Sequence, residues 1–410
     1  MTASTASPSG NPALRGGFLA AIFLMATSAV GPGFITQTAT FTATLGAAFA
    51  FAILASIVID FVVQLNIWRI TALTGRNAAE TANAAIPGAG YLLAVLVMVG
   101  GLAFNVGNIA GAGLGMNAMF GLDPRIGGAF SALLAIGVFM SKRAGLLLDR
   151  SLIGLGLLMI VMTLIVAVTS NPPVGEALRQ MVMPKVIDFP TITTIVGGTV
   201  GGYITYSGAH RLLDKGLVGE RNLAAVTRAA LTGIAVTGVM RFVLFLAILG
   251  VVASGVTLDL SGQAANPAAQ AFAAGLGNWG MRIFGVVLWA AAITSVIGAA
   301  YTSVSFLVAF TALTDRSRNI ATVIFIALSL AVFVTIGTAP AALLVFVGGF
   351  NGLILPIGLT IFTYVGFARP DLMGGHRYNR ALLTLGAIVC ALTWYMGYKS
   401  FGAIFAFLDL

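Results

Sequence analysis

The chain has 410 residues, of which 59% are hydrophobic and only 8% charged, with a formal net charge of +9 and a mean hydropathy of +1.03. A soluble domain carries about 25% charged residues, so these values exclude a soluble protein and describe a polytopic membrane protein that is almost all membrane domain. The single cysteine, Cys390, lies in a hydrophobic segment, so neither a disulfide nor a cysteine metal site is available within one chain. No basic patch is interleaved with aromatics, so nucleic acid is not an expected partner; the lipid bilayer is.

From the N-terminus, residues 1–14 open with small and polar side chains and read as a disordered cytoplasmic tail. They lack the basic opening of a cleaved signal peptide, so the first helix is expected to stay in the protein. Apolar spans of roughly 20 residues then predict eleven transmembrane helices, at 17–46, 48–72, 88–119, 126–141, 147–169, 190–213, 226–254, 280–311, 318–337, 341–366 and 380–398. The longest hydrophilic connections are 171–189 and 255–279, and no soluble linker or second domain interrupts the spans. With the N-terminus inside, the outer segments hold only Arg125, Arg179, Lys185 and Lys399, and Arg241 and Arg282 fall in helices or at their edges; the other fifteen of the 21 basic residues are inside. That bias places the N-terminus in the cytoplasm and, after eleven crossings, the C-terminus outside.

The first and sixth spans are broken by segments that nearly repeat each other. Residues 33–38 read Gly-Phe-Ile-Thr-Gln-Thr directly after Gly31-Pro32, and residues 202–207 read Gly-Tyr-Ile-Thr-Tyr-Ser after Gly197-Gly198 and Gly201. A break at mid-membrane frees backbone groups that lipid cannot satisfy, so it is tolerated only in a protein interior or along a cavity. Paired breaks in two halves point to the binding site of a secondary transporter. The bland alternative is a pair of glycine kinks, common in membrane helices, but the flanking polar residues match as well as the glycines. Five helices separate the start of one repeat from the start of the next, an odd number, so the second repeat is inverted in the membrane. The expected fold is all-α, of the leucine-transporter type, with 15–410 forming a single transmembrane domain: repeat one over 15–170, repeat two over 190–366 and an extra helix over 380–398.

Gly31-Pro32-Gly33-Phe34 and Thr74-Gly75-Arg76-Asn77, with Gln64 between them, are spaced as in the NRAMP (natural resistance-associated macrophage protein) divalent-metal transporters, whose first helix carries Asp-Pro-Gly-Asn and whose second ends in Ala-Thr-Gly-Lys/Arg. The run from Gly111 to Asn117, followed by Phe120-Gly121, is similar to the end of that family's third helix, and Leu355-Pro356 resembles its tenth. The chain therefore resembles a divergent bacterial-type member, which implies a secondary transporter in a bacterial inner membrane, not an enzyme. The resemblance fades at the family's chemistry. The family's metal-binding aspartate falls on Gly31 and its asparagine on Phe34; its Met-Pro-His falls on Ser207-Gly208-Ala209, with His210 one place further; its acidic pair in helix three falls on Asn105 and Asn108. Carboxylates and thioethers hold divalent transition metals, and a dehydrated divalent cation without a charged ligand is very unfavourable at mid-membrane. No metal-ligand set is therefore assigned.

The broken helices instead offer free N–H groups and positive dipole ends, lined by Gly31, Gly33, Phe34, Thr36, Gln37, Thr38, Tyr203, Tyr206 and Ser207, with Asn105 and Asn108 one helical turn apart on helix three. That set suits a small organic solute carrying a carboxylate or amide, although tyrosines and threonines also bridge packed membrane helices without a ligand. Asp60 is the one mid-membrane carboxylate and Arg241 lies at the equivalent place in helix seven. The two are read as a pair, either structural or part of ion coupling. His210 is a candidate proton carrier beside the second break, whereas His376 is read as a solvated loop residue. The leading expectation is alternating-access transport of a small organic solute, without a cofactor and with proton or sodium as possible coupling ion. The second is divalent-metal transport. A channel or an intramembrane enzyme is disfavoured, because neither a filter repeat nor His-Glu-x-x-His occurs. The oligomeric state stays open.

Overall fold

A computed structural model describes residues 31–141, 158–262, 264–308, 310–311, 314–336 and 339–406. The expected tail 1–14, the first half of the broken first helix and the opening of helix five (147–157) lie outside the described residues. Among those described, regular structure is helical throughout, without a strand.

Helix α1 (Pro32–Leu45) opens with proline at its first position, where the missing N–H costs nothing. A short 3₁₀ turn, Gly46–Ala48, leads into α2 (Phe49–Thr74), which ends at Gly75 in the left-handed conformation. The short α3 (Ala78–Ala85) begins with a capping box in which Asn77 and Glu80 bond each other's backbone N–H. Then follow α4 (Ala89–Phe120), α5 (Pro124–Met140), capped by Asp123, and α6 (Leu158–Thr169), which meets α7 (Val174–Val182) at 106°. The sixth span is two eleven-residue halves, α8 (Phe189–Thr199) and α9 (Ile204–Asp214). The chain finishes with α10 (Leu223–Ala253), α11 (Pro267–Val308), α12 (Asp315–Thr335), α13 (Pro340–Ala368) and α14 (Arg380–Ala406).

Seven of these stretches are each long and apolar enough to cross a membrane alone, with α1 and α2 counted as one stretch, Pro32–Thr74. Separating those two, and adding α5, the described part of α6 and the α8–α9 pair, gives a helical element within each of the eleven expected spans. Three features differ from expectation. Helix α11 is two helices joined at Gly277, whose φ of 67° is not helical: the part after the kink starts near the expected 280, and a further short helix, 267–276, occupies the end of the expected connection. Helix α14 continues to Ala406, past the expected 398, since the added residues are apolar. The connection 171–189 contains α7, with exposed Val174, Leu178 and Val182 at four-residue intervals along one stripe.

Burial separates the centre from the rim. The most apolar stretch of α13 is 72% buried, against 28% for α12 and 33% for α14. Helix α4 packs along α11 and also touches α5, α13 and α1, while α2 packs along α10 and α8 along α13. Both breaks therefore face the centre of the bundle.

Candidate functional site

The first break is an uncapped helix start inside the protein. Gly31 is extended (φ −74°, ψ −177°) and no side chain caps α1. The N–H of Ile35 donates to the Gly31 carbonyl at 3.2 Å. Pro32 has no N–H, so Gly33 and Phe34 carry the donors that a helix start leaves over. Pro32 through Ala39 are all buried.

The second break lies between Thr199 and Ile204, where Gly202 takes φ 57°, a left-handed conformation that favours glycine. Neighbouring helices prop it. The Nδ2 of Asn351, on α13, donates to the carbonyls of Gly100 (3.1 Å) and Val347 (3.0 Å), and its Oδ1 fills the space a Cβ on Gly202 would need. Trp68, on α2, donates from Nε1 to the Thr205 carbonyl at 3.0 Å, and its ring lies against Gly208. The hydroxyl of Thr205 bonds the Val200 carbonyl. The Trp68 and Thr205 bonds answer backbone carbonyls at the break, while Asn351 fills the space beside Gly202.

Gln37 joins the first break to the second. Its Nε2 donates to the Leu344 carbonyl of α13 at 2.9 Å, and its carboxamide occupies the space beside Gly198 and Gly348. Thr38 and Ser207 bond within their own helices, to the carbonyls of Phe34 (2.8 Å) and Ile204 (2.9 Å). Among the described residues, Thr36 Oγ1 and Gln37 Oε1 are buried without a hydrogen-bond partner. Tyr203 meets Phe104 of α4 edge-on, ring centroids 5.3 Å apart, and Tyr206 meets Phe306 of α11 at 5.2 Å. Aromatic rings from α4, α9 and α11 thus wall the second break.

Asn105 and Asn108 are not drawn to the breaks by any bond. Asn105 Nδ2 donates to Ser329 Oγ of α12 at 3.1 Å, while its Oδ1 and the Asn108 Nδ2 are buried without a partner. Phe104, on Tyr203, and Gly111, on Pro32, are α4 residues that reach the breaks. His210 Nε2 accepts the N–H of Ala78 at the start of α3 (3.1 Å), and Nδ1 lies 3.2 Å from Ser305 Oγ of α11. With Nε2 accepting, the ring proton belongs on Nδ1, and both ring nitrogens are engaged. His376 lies 3.1 Å from the Glu220 carboxylate.

Asp60 and Arg241 meet between α2 and α10, Oδ2 to Nη2 at 2.9 Å, both side chains fully enclosed. Gln64 Nε2 donates to the other carboxylate oxygen at 2.7 Å. The Arg241 guanidinium carbon lies 5.9 Å from the centre of the Phe34 ring, so the pair adjoins the first break. Arg241 Nε and Nη1 and Gln64 Oε1 are buried without a hydrogen-bond partner among the described residues. Among the described residues, no three of His, Cys, Asp and Glu gather as a metal-binding group.

Asn351, Trp68 and Phe104 did not emerge from sequence reasoning. Asn351 had a signal: it is the one carboxamide side chain within the apolar 29-residue α13, where a polar group needs a reason.

A family model for natural resistance-associated macrophage protein-like (Nramp) proteins matches residues 22–401. The chain belongs to this family. It is 52% identical over 364 residues to an uncharacterized membrane protein of Haemophilus influenzae, covering 89% of this chain and 90% of the relative. Its fold is similar to that of the Eremococcus coleocola manganese transporter, with a TM-score of 0.72 at 15% identity, covering 98% of this chain and 90% of that one. It is also similar to MhsT, crystallised with L-phenylalanine, with a TM-score of 0.67 at 16% identity, covering 95% and 98%. This Nramp-like chain is thus an integral membrane protein of the leucine-transporter-type fold, and a secondary transporter rather than an enzyme.

Proposed function

We propose that this Nramp-like transporter carries a small organic solute bearing a carboxylate or amide, by alternating access of the cavity at the two breaks. The observation that carries this reading is the state of the mid-membrane charges. Gly31 and Phe34 stand where the resemblance implies a carboxylate and an amide ligand, and the carboxylate nearby, Asp60, is committed to Arg241 at 2.9 Å and Gln64 at 2.7 Å. An additional divalent cation would sit beside a guanidinium with no free carboxylate to offset it. An anionic or amide-bearing solute meets donors instead: the start of α1 and the unpartnered Arg241 nitrogens. The transporter is placed by the same reading in a bacterial inner membrane, N-terminus inside, with proton or sodium as coupling ion.

Divalent-metal transport is the second reading, favoured by the manganese transporter among the structural neighbours. Proteoliposome uptake separates the two. The expected result is no saturable manganese uptake by the unmodified protein, and a gain of manganese binding on replacing Gly31→Asp with Phe34→Asn together. Robust manganese transport by the unmodified chain would overturn the organic-solute reading. A thermal-shift screen of divalent metals against small carboxylates and amides gives an independent answer, since a ligand at about 100 times its Kd stabilises by about 2.7 kcal/mol.

A further inference from the structure

We propose that Arg241 is the receptor for the carboxylate of the transported solute, acting together with the opening turn of α1; this rests on the organic-solute reading above. A guanidinium carries five N–H donors on three nitrogens. Here Nη2 reaches Asp60, while Nε and Nη1 have no hydrogen-bond partner among the described residues, although the side chain is fully enclosed. Buried donors are nearly always satisfied in a finished protein interior, so a pair kept only for packing would be expected to use more of this fork. Asp60, by contrast, has a partner on each oxygen, Arg241 and Gln64. The donors left over are on the cation.

Their position matches a second set of donors. Side chains on a helix lean toward its N-terminus, so a group over the ring of the third helical residue lies beside the first turn. Phe34 is that residue in α1, and the Arg241 guanidinium carbon is 5.9 Å from its ring centre. The first turn is buried, uncapped by any side chain and begins with proline, which leaves the Gly33 and Phe34 N–H groups and the positive end of the helix dipole. A carboxylate placed there accepts from the backbone of α1 and from Nε or Nη1 of Arg241, while Asp60 keeps the guanidinium neutralised when no solute is bound. Phe34 supplies an apolar face for the carbon skeleton of the solute. The class of ligand that fits is a small monocarboxylate, and its primary amide should be a poor substitute.

The test uses the purified full-length protein and two matched probe panels, N-acetyl amino acids and their primary amides, read by thermal shift and calorimetry. At least one acid is expected to bind the unmodified protein, and its amide about tenfold more weakly or worse. In the Asp60→Asn/Arg241→Gln double variant, which buries no charge, the acid should fall to the affinity of its amide while the amide changes little. Should that variant fail to fold, Arg241→Lys keeps the charge beside Asp60 but lacks the planar fork, and is expected to lose about tenfold in acid affinity. A preference for acid over amide that survives in either folded variant would overturn the role of Arg241 and leave the organic-solute reading standing. Binding of manganese with no response to any acid or amide would overturn both, and amides binding as well as acids would overturn the carboxylate receptor alone.

Discussion

Two opposite charges held 2.9 Å apart with no solvent exposure, as Asp60 and Arg241 are, depend on each other. Removing one partner of a buried pair leaves an uncompensated charge at a cost of about 3–5 kcal/mol. Asp60→Asn alone and Arg241→Gln alone are therefore expected to lower the melting temperature sharply, and the double replacement to recover much of the loss, measured on detergent-purified protein. Strictly additive losses would mean that the two side chains are energetically independent. Because Arg241 is proposed to receive the solute, the recovered double variant should be stable yet inactive in uptake. Small residues at the breaks offer a second contrast. A Cβ on Gly33 would meet nothing nearer than Gln37 Nε2 at 3.8 Å, whereas a Cβ on Gly198 would run into the Gln37 carboxamide. Gly198→Ala should thus destabilise by about 1–3 kcal/mol through overpacking and impair uptake, while Gly33→Ala should remain close to the unmodified protein in melting temperature.

The halves of helix six show why some of the site was legible and some was not. Lipid forbids unpaired backbone groups, so a glycine-rich interruption in a long apolar span announces a break from local sequence alone; Thr199 and Ile204 bound it within the expected stretch. The partners that stabilise the break carry no local signature. Trp68 reaches Thr205 across 137 positions, and Asn351 comes up against Gly202 from the distant α13. Neither link can be read from spacing within one helix. Asn105 and Asn108 illustrate the converse: a polar pair one turn apart is easily found, but Asn105 bonds Ser329 on α12 rather than either break. A helix limit shifted where apolar sequence runs on past the expected end, as in α14, which continues to Ala406. The Trp68 prop can be checked directly. Trp68→Phe keeps most of the ring against Gly208 but leaves the buried Thr205 carbonyl without its donor. It is expected to cost about 1–3 kcal/mol and to reduce uptake, whereas an unchanged melting temperature would show that the break holds itself.

At the scale of the whole molecule, the inverted repeat makes a prediction about sidedness. Helix α10 has 31 residues, about 46 Å at 1.5 Å per residue, which exceeds the roughly 30 Å hydrocarbon core. Its two flanking connections therefore belong on opposite faces. The one before it contains Lys215, Arg221 and the His376–Glu220 contact, and lies at the end where Arg369 donates from Nη1 to the Ala84 and Ala85 carbonyls at 2.8 Å and pairs with Asp371. The one after it contains Asp259 and Ser261, with Asp259 bonding the backbone N–H of Ser261 at 3.0 Å. The basic residues gather at the first of these ends, so we propose that it faces the cytoplasm. Cys390 is buried and its sulfur lies 3.1 Å from Thr360 Oγ1, so Cys390→Ser supplies a cysteine-free background with a similar hydrogen bond. In that background, Ser261→Cys should react with a membrane-impermeant maleimide on intact cells, and Lys215→Cys only after the membrane is opened. Both positions are exposed in the structure, so reactivity reports the side of the membrane rather than burial. Labelling of both from the same side would contradict a single crossing by α10, and with it the inversion that places the two breaks opposite each other. The reverse pattern would keep the fold and invert the assigned orientation.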